Sequence, residues 1–292
     1  MAENNMQDSI MIARKFLDSL LVEGRIIGAV HPTSAVTVLG KTFATPIMTG
    51  ALSHLKGGMA GFADGAKNAG ALCSVGMGDN ASLGEVLATG AAVIKIIKPY
   101  ADREEILSRL RYAEEHGAFG VGMDLEHATG VDDDADSLVA GEQMKLVTAE
   151  ELKTYIAAAK LPFFVKGALS LQDALRAKEM GAAGVILSHH NGMLKSAVPP
   201  YLLLPEIRKA AGPDFLLIAD GGIGDGYDAF KALALGATGV CVGRPLMTAI
   251  KEDREKGVEE FFRRANGELA KAMACTGCRD LGHLDASVIH RL

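Results

Sequence analysis

Apolar residues recur at helical spacing near the start of the chain: Ile10, Ala13, Phe16, Leu17, Leu20 and Leu21 predict an opening amphipathic helix. A turn-rich connector follows from Arg25 to Gly40 and ends in Thr37-Val-Leu. Beyond it, short apolar runs alternate with amphipathic stretches. The runs Pro46–Ala51, Ala71–Val75, Val93–Ile97, Phe119–Met123, Pro162–Val165, Gly184–Leu187, Phe215–Ala219 and Gly239–Val242 read as buried strands. Between them Gly58–Ala69, Ser82–Thr89, Arg103–Glu115, Thr148–Ala159, Ser170–Met180, Leu202–Ala211 and Gly226–Ala234 carry helical periodicity. Several open on a capping Ser, Thr or Asp, and several close on glycine: Gly70, Gly90, Gly117, Gly181 and Gly236. A last helix is predicted from Val258 to Met273. Eight strands spaced by roughly 25–30 residues are the signature of a (β/α)8, or TIM, barrel. No linker-like stretch interrupts the alternation. The expected organisation is one domain over residues 1–292: an N-terminal helix and connector (1–45), the barrel (46–256), and a C-terminal helix and tail (257–292).

Composition narrows the function classes. The chain is 49% hydrophobic and 23% charged with 34 glycines, which is a globular balance. A net charge of −6 argues against nucleic acid as a partner, because phosphate backbones need clustered Lys and Arg. Cys73 and Cys241 fall in apolar runs and read as core residues. Cys275-Thr-Gly-Cys278 has no second pair and no histidine cluster at zinc spacing, so helix-end packing is expected of it. The first residues are acidic, and Arg14, Lys15 and Asp18 interrupt the apolar face of the opening helix, so no leader is expected. No apolar run reaches membrane-spanning length, and the expected location is the cytoplasm. The longest irregular stretch, Glu126 to Leu146, carries Asp132, Asp133, Asp134 and Asp136 and reads as a solvated acidic loop.

In such a barrel, chemistry belongs at the C-terminal strand ends. Those ends read Gly50-Ala-Leu-Ser53, Val75-Gly-Met77, Lys98-Pro-Tyr100, Asp124-Leu-Glu126-His127, Lys166-Gly167, His189-His190-Asn191, Asp220-Gly-Gly222 and Gly243-Arg244-Pro245. Titratable groups crowd one rim. The last two segments are expected to bind phosphate, since glycine turns and a helix N-terminus present N–H groups and Arg244 adds a cation. Lys166 ends an apolar strand and is expected to face the pocket as a charge stabiliser. The loop Leu187-Ser-His-His-Asn-Gly-Met193 carries the candidate base, His190, beside His189. Tyr100 is a candidate hydroxyl donor. Asp124 and Glu126, two apart on an extended segment, would face the same way and need a cation, a shared proton or water between them. No third metal ligand is evident, and no metal is expected.

Thr37-Val-Leu-Gly40, Pro46-Ile-Met48, Val165-Lys-Gly167, the histidine loop, Ile218-Ala-Asp-Gly-Gly-Ile223, Asp228-Ala-Phe-Lys-Ala-Leu-Ala-Leu-Gly-Ala237, Val242-Gly-Arg-Pro245 and Met273-Ala-Cys-Thr-Gly-Cys-Arg279 resemble the FMN-dependent α-hydroxy acid oxidase/dehydrogenase family. The resemblance runs from about Arg25 onward and is most specific after Val165. It implies a TIM barrel holding FMN at its strand-end rim and oxidising a hydroxyl-bearing small molecule. It implies that Lys166 stabilises negative charge at the flavin N1/O2 edge and that His190 takes the substrate hydroxyl proton while hydride passes to flavin N5. Tyr100 matches a tyrosine near the substrate, and Glu126 matches an aspartate that supports the histidine. Asp220, Gly221, Gly222, Gly243 and Arg244 match the phosphate end, and Leu52-Ser53 matches the backbone beside the isoalloxazine.

The departures concern the substrate. The family loop reads Ser-Asn-His-Gly-x-Arg, and the arginine that clamps the substrate carboxylate is Met193 here. The family's second arginine has no counterpart in the acidic run 132–136. A flavin-contacting glutamine is Lys98, a threonine near the flavin is Asp124, and an arginine that helps hold the phosphate is Gly224. The expected substrate is therefore hydroxy acid-like or an alcohol, but not a simple 2-hydroxy acid, with any anionic group met by Lys98 or Lys195. His189, Met193 and Tyr100 are the expected substrate neighbours. Two other readings stay open: non-redox flavin chemistry, as in type 2 isopentenyl diphosphate isomerases, and a non-catalytic FMN- or phosphate-binding barrel. The resemblance also implies a homo-oligomer, commonly a tetramer, and the electron acceptor stays open between oxygen and a soluble carrier.

Overall fold

The computed structural model describes residues 9–55, 58–129, 143–190 and 194–292. Eight parallel strands form one sheet: β4 (Ile47–Thr49), β5 (Cys73–Val75), β6 (Val93–Ile97), β7 (Gly120–Asp124), β8 (Phe163–Lys166), β9 (Gly184–Leu187), β10 (Leu216–Asp220) and β11 (Gly239–Val242). Neighbours pair in chain order, and β11 returns to pair with β4. The remaining seam, β4 to β5, is stitched by a parallel bridge between Leu52 and Val75 and by Gly76 N donating to Leu52 O at 2.8 Å. The sheet is therefore a closed (β/α)8 barrel, the class that the alternating pattern predicts.

Strand alternation divides the core in two. Met48, Leu72, Ile94, Ile96, Phe164, Ile186, Ile218 and Cys241 fill the barrel interior. Val93, Ile97, Val121, Val165, Val185 and Leu187 face the helices. Gly122 makes room inside, since a Cβ there would stand 2.9 Å from Ile96 Cδ1. The outer layer holds α2 (Met59–Asn68), α3 (Asn80–Ala88), α4 (Arg103–Glu115), α5 (Ala149–Ala158), α6 (Leu171–Glu179), α7 (Pro200–Ala211) and α8 (Gly226–Ala234). Thr148 and Glu151 form a reciprocal capping box on α5, and Asp79, Asp102, Ser170 and Asp225 cap α3, α4, α6 and α8. The five glycines expected to end helices adopt positive φ, from +67° at Gly70 to +112° at Gly236.

Three features lie beyond the repeating pattern. A hairpin of β2 (Val36–Val38) and β3 (Lys41–Phe43) turns through Leu39 and Gly40, both at positive φ, and closes the N-terminal end of the barrel with Val38 and Phe43. The helical segment after β11, α9 (Arg244–Cys275), begins at Arg244 and breaks at Asp253 and Arg254, so a helix precedes the expected C-terminal one. β1 (Leu20–Val22) pairs antiparallel with β12 (Ile289–Arg291) and ties the two ends of the barrel chain together. The opening helix forms as α1 (Ser9–Asp18). Cys278 N bonds to Met273 O beside Gly277 at φ +70°, so this part of the Cys-x-x-Cys segment terminates α9. No helix among the described residues is long and apolar enough to cross a membrane.

Candidate active site

Strand ends β6 to β9 bring a titratable cluster together at the expected rim. Asp124 ends β7 and is 1% exposed. Its Oδ2 accepts from Lys98 Nζ at 3.1 Å and Lys166 Nζ at 3.2 Å, and it lies 2.7 Å from His190 Nδ1. His190 sits at φ +35°, held by its backbone N–H donating to Ser188 Oγ at 3.1 Å, and Ser188 Oγ in turn donates to Asp220 Oδ2 at 3.0 Å. His127 completes the group: its Nδ1 is 2.7 Å from Lys98 Nζ and 3.0 Å from His190 Nε2.

The electrostatics follow from burial against pairing. Burial alone would raise the Asp124 carboxyl, but Lys166, Lys98 and His190 outweigh it and hold the group well below the ordinary carboxylate range. Burial would also lower Lys166, yet Asp124, Asp220 and Glu126 keep it raised and charged. Burial pushes Glu126 up to about 8, with Asp124 and Asp220 adding to the rise against Lys166, so it is protonated at neutral pH. Burial, Lys98 and His190 push His127 down to about 3. Burial lowers His190 as well, with Lys166 and Lys98 adding to the fall and Asp124 opposing it. Both rings are thus neutral at pH 7 beside one carboxylate.

The carboxylate in contact with His190 is Asp124 rather than Glu126. The extended geometry that would align residues 124 and 126 ends at Asp124, where the chain winds into a 3-10 turn over Leu125–Thr129. That turn sends Glu126 toward Gly167, where a Cβ would stand 2.8 Å from Glu126 Cγ, and brings His127 onto the cluster. Tyr100 is buried with its ring under the Arg109 guanidinium, 4.6 Å from the ring centre, and does not line the adjoining cavity. Met193 and the acidic residues Asp132–Asp136 lie outside the described residues.

His127 also supplies the third ligand that the sequence leaves unseen: Asp124, His127 and His190 offer atoms within 4.8 Å of one another. The Lys98 ammonium, 2.7 Å from His127 Nδ1 and 3.1 Å from Asp124 Oδ2, already occupies the position of a cation there. Lys166 adds a second positive charge on the same carboxylate oxygen. A divalent ion would meet two ammonium groups at contact distance, which disfavours it.

Beside the cluster opens a cavity of about 360 Å³. Leu52, Lys166, Asp220, Gly221, Gly222, Gly243 and Arg244 line it together with His189 and His190, whereas Lys98 and Asp124, expected at the cofactor, are turned into the buried cluster and do not. Ser53 lies just outside the lining, with its Oγ 2.6 Å from where a Cβ of Gly76 would stand. The far end is built for an anion. Helix α9 starts there at Gly243-Arg244 with no side-chain cap on its first turn, so its N–H groups and dipole face the cavity.

Ile10, Met11 and Arg14 of α1 close this end, which the helical spacing alone does not indicate. Arg14 donates to Gly222 O at 2.9 Å, to both oxygens of Asp228 and to Asp18 Oδ1, so all its N–H groups are engaged. Arg14 Nη1 lies 3.9 Å from where a Cβ of Gly224 would stand. A guanidinium from α1 thus fills the space beside the position where the family carries an arginine.

The FMN-dependent dehydrogenase family profile matches residues 126–291. Glycolate oxidase 3 of Arabidopsis thaliana is 30% identical over 295 residues, covering 87% of this chain and 80% of the relative. Glycolate oxidase of Spinacia oleracea is 29% identical, covering 94% and 86%. Among solved structures, mandelate oxidase with (S)-2-phenylpropionate superposes with a TM-score of 0.86 at 26% identity over 99% of this chain and 92% of that one. A mandelate oxidase variant with a monooxide FMN adduct gives 0.86 at 27% identity over 98% and 91%. The glycine-lined cavity, the uncapped start of α9 and Lys166 at its other end fit FMN, which is the cofactor. The chain is an FMN-dependent oxidoreductase and belongs to the α-hydroxy acid oxidase family.

Proposed function

We propose that the chain oxidises a hydroxyl-bearing small molecule, hydroxy acid-like or an alcohol, with His190 as the base and bound FMN supplying the hydride acceptor. The observation that carries this reading is the 2.7 Å contact of His190 Nδ1 with Asp124 Oδ2. An ionised carboxylate only accepts, and this contact is shorter than the 3.1 Å from Nδ1 to Lys166 Nζ, so Nδ1 holds the ring proton and Nε2 keeps its lone pair. Burial keeps the ring neutral, and His190 lines the cavity, so Nε2, with His127 Nδ1 3.0 Å away, can take a hydroxyl proton. Asp124 then faces the imidazolium and stabilises it. Lys166, raised and charged at the cavity wall, is assigned the negative charge that develops on the cofactor edge. Gly222, Gly243 and Arg244 are assigned the phosphate.

The proposed substrate is not a simple 2-hydroxy acid. The carboxylate-clamping arginine of the family is Met193, and a thioether cannot form a bidentate charged contact. An anionic substrate group is left with Lys195, because Lys98 is buried against Asp124 and His127 and does not line the cavity. A homo-oligomer, tetrameric by resemblance, and a cytoplasmic location complete the proposal. The test is anaerobic mixing of the FMN-loaded protein with hydroxy acids, alcohols and amines while the flavin absorbance is followed. Bleaching by a hydroxyl compound other than glycolate and lactate supports the reading. Rapid bleaching by glycolate or lactate at micromolar concentration overturns the substrate assignment.

A further inference from the structure

Both ring nitrogens of His190 have close neighbours. Nδ1 meets the Asp124 carboxylate at 2.7 Å, and Nε2 lies 3.0 Å from Nδ1 of His127. The two rings stand edge to face, 4.5 Å between centres and 83° between planes. His127 Nδ1 is also 2.7 Å from Lys98 Nζ. An ammonium only donates, so His127 Nδ1 accepts and the ring proton of neutral His127 sits on its Nε2. His190 Nδ1 faces the Asp124 carboxylate at 2.7 Å and the Lys166 ammonium at 3.1 Å, and the shorter contact, to a group that only accepts, places the ring proton of neutral His190 on Nδ1. Two unprotonated nitrogens therefore stand 3.0 Å apart. Their contact is unfavourable until a proton arrives at one of them. The hydroxyl oxidation delivers one to His190 Nε2. Among the described residues His190 lines the cavity and His127 does not, so His190 stands between the cavity and His127.

Resting on the assignment of His190 as the base, we infer that His127 is a positioning residue whose Nδ1 accepts a hydrogen bond from His190 Nε2 once the substrate proton is there. The substrate O–H bond would break with its proton binding Nε2, and the electron pair left on oxygen would form the carbonyl, with bound FMN supplying the acceptor for the C–H hydride. His190 becomes an imidazolium with Nδ1–H on Asp124 and Nε2–H on His127. Lys98 yields its donor to the His127 lone pair and keeps Asp124 Oδ2, 3.1 Å away. Among the described residues, the charged and titratable groups facing His190 are Asp124 from β7, Lys98 after β6, Lys166 from β8 and His127, with Glu126 and Asp220 behind Lys166. Among these His127 alone offers a neutral acceptor to Nε2, so it raises the proton affinity of a base that burial weakens.

The experiment uses the FMN-loaded full chain, selectively labelled with 15N-histidine, in wild type, His127→Leu and His127→Asn. The nitrogen resonances should show His127 Nδ1 unprotonated at neutral pH. His127→Leu should lower the pH at which His190 binds its proton by about one unit, a tenfold loss of proton affinity, in line with the worth of a hydrogen bond to a charged group. With a substrate in hand, the acid limb of kcat/KM should move the same way and kcat should fall about tenfold with KM unchanged. His127→Asn, whose carbonyl oxygen still accepts, should recover part of both. A proton on His127 Nδ1 at neutral pH, or an unmoved His190 titration in His127→Leu, overturns the inference. If the leucine variant does not hold FMN, the wild-type tautomer and the asparagine titration decide. Resonances as expected with no compound oxidised would sink the proposed reaction and leave the histidine pair standing. Bleaching with a protonated Nδ1 would do the reverse.

Discussion

Asp124 Oδ2 lies 2.7 Å from His190 Nδ1 and accepts at the same time from Lys98 and Lys166 at 3.1 and 3.2 Å. One buried oxygen thus fixes the tautomer of the candidate base and neutralises part of the charge of two lysines. Replacing Asp124 with Asn removes the charge and keeps the shape. We expect kcat to fall by about 100-fold or more, because the imidazolium loses its counter-charge. We also expect stability to fall by ~3 kcal/mol, because two buried ammonium groups lose their carboxylate. Stopped-flow reduction and denaturant titration read the two effects separately.

Glu126 makes stability depend on pH in the direction opposite to a paired carboxylate. Its folded-state value is raised from 4.5 to about 8, so the folded protein holds a proton that the unfolded chain releases. Its contribution is fully present below about pH 4.5 and is lost as pH rises to about 8. His127 runs the other way below pH 6.5, since its folded value is about 3. The difference between wild type and Glu126→Gln isolates the first effect. Denaturation midpoints should show the variant gaining on wild type from about pH 4.5 to about 8, and a difference that stays flat with pH would refute the assignment.

Arg14 joins α1 to the phosphate end of the cavity through Gly222 O and the buried Asp228. Arg14→Met should leave the Asp228 carboxylate with its Gly224 N–H contact but no guanidinium. We expect a loss of ~1–2 kcal/mol, discounted because the arginine is part exposed, and about tenfold weaker FMN binding. Flavin release followed by fluorescence reads the affinity. Unchanged release would assign α1 a purely packing role.

The barrel was legible because each β/α unit repeats the same signals: an apolar run, a cap, a helical stripe and a closing glycine. Strand ends therefore gave Lys166, His190, Asp220, Gly222 and Arg244 their common rim. What the pattern could not carry was local winding. The 3-10 turn at Leu125–Thr129 exchanges the partners expected for Asp124 and Glu126 and recruits His127. No periodicity marks so short a turn, although a histidine three residues past a strand-end aspartate was a usable hint. Arg14 was hidden for a different reason. It acts across 214 positions of sequence on Asp228, and its helix reads from sequence only as amphipathic. The hairpin at the barrel floor depends on Leu39 at φ +50°, a conformation that leucine does not advertise.

The most direct test of the central claim is anaerobic reduction of bound FMN in wild type and His190→Asn by the same panel of hydroxyl compounds. At least one compound is expected to bleach the wild-type flavin, and the variant, carrying the same amount of FMN, to bleach about 100-fold more slowly or less. A wild-type flavin that no hydroxyl compound bleaches, or a variant that bleaches at the wild-type rate, would contradict it.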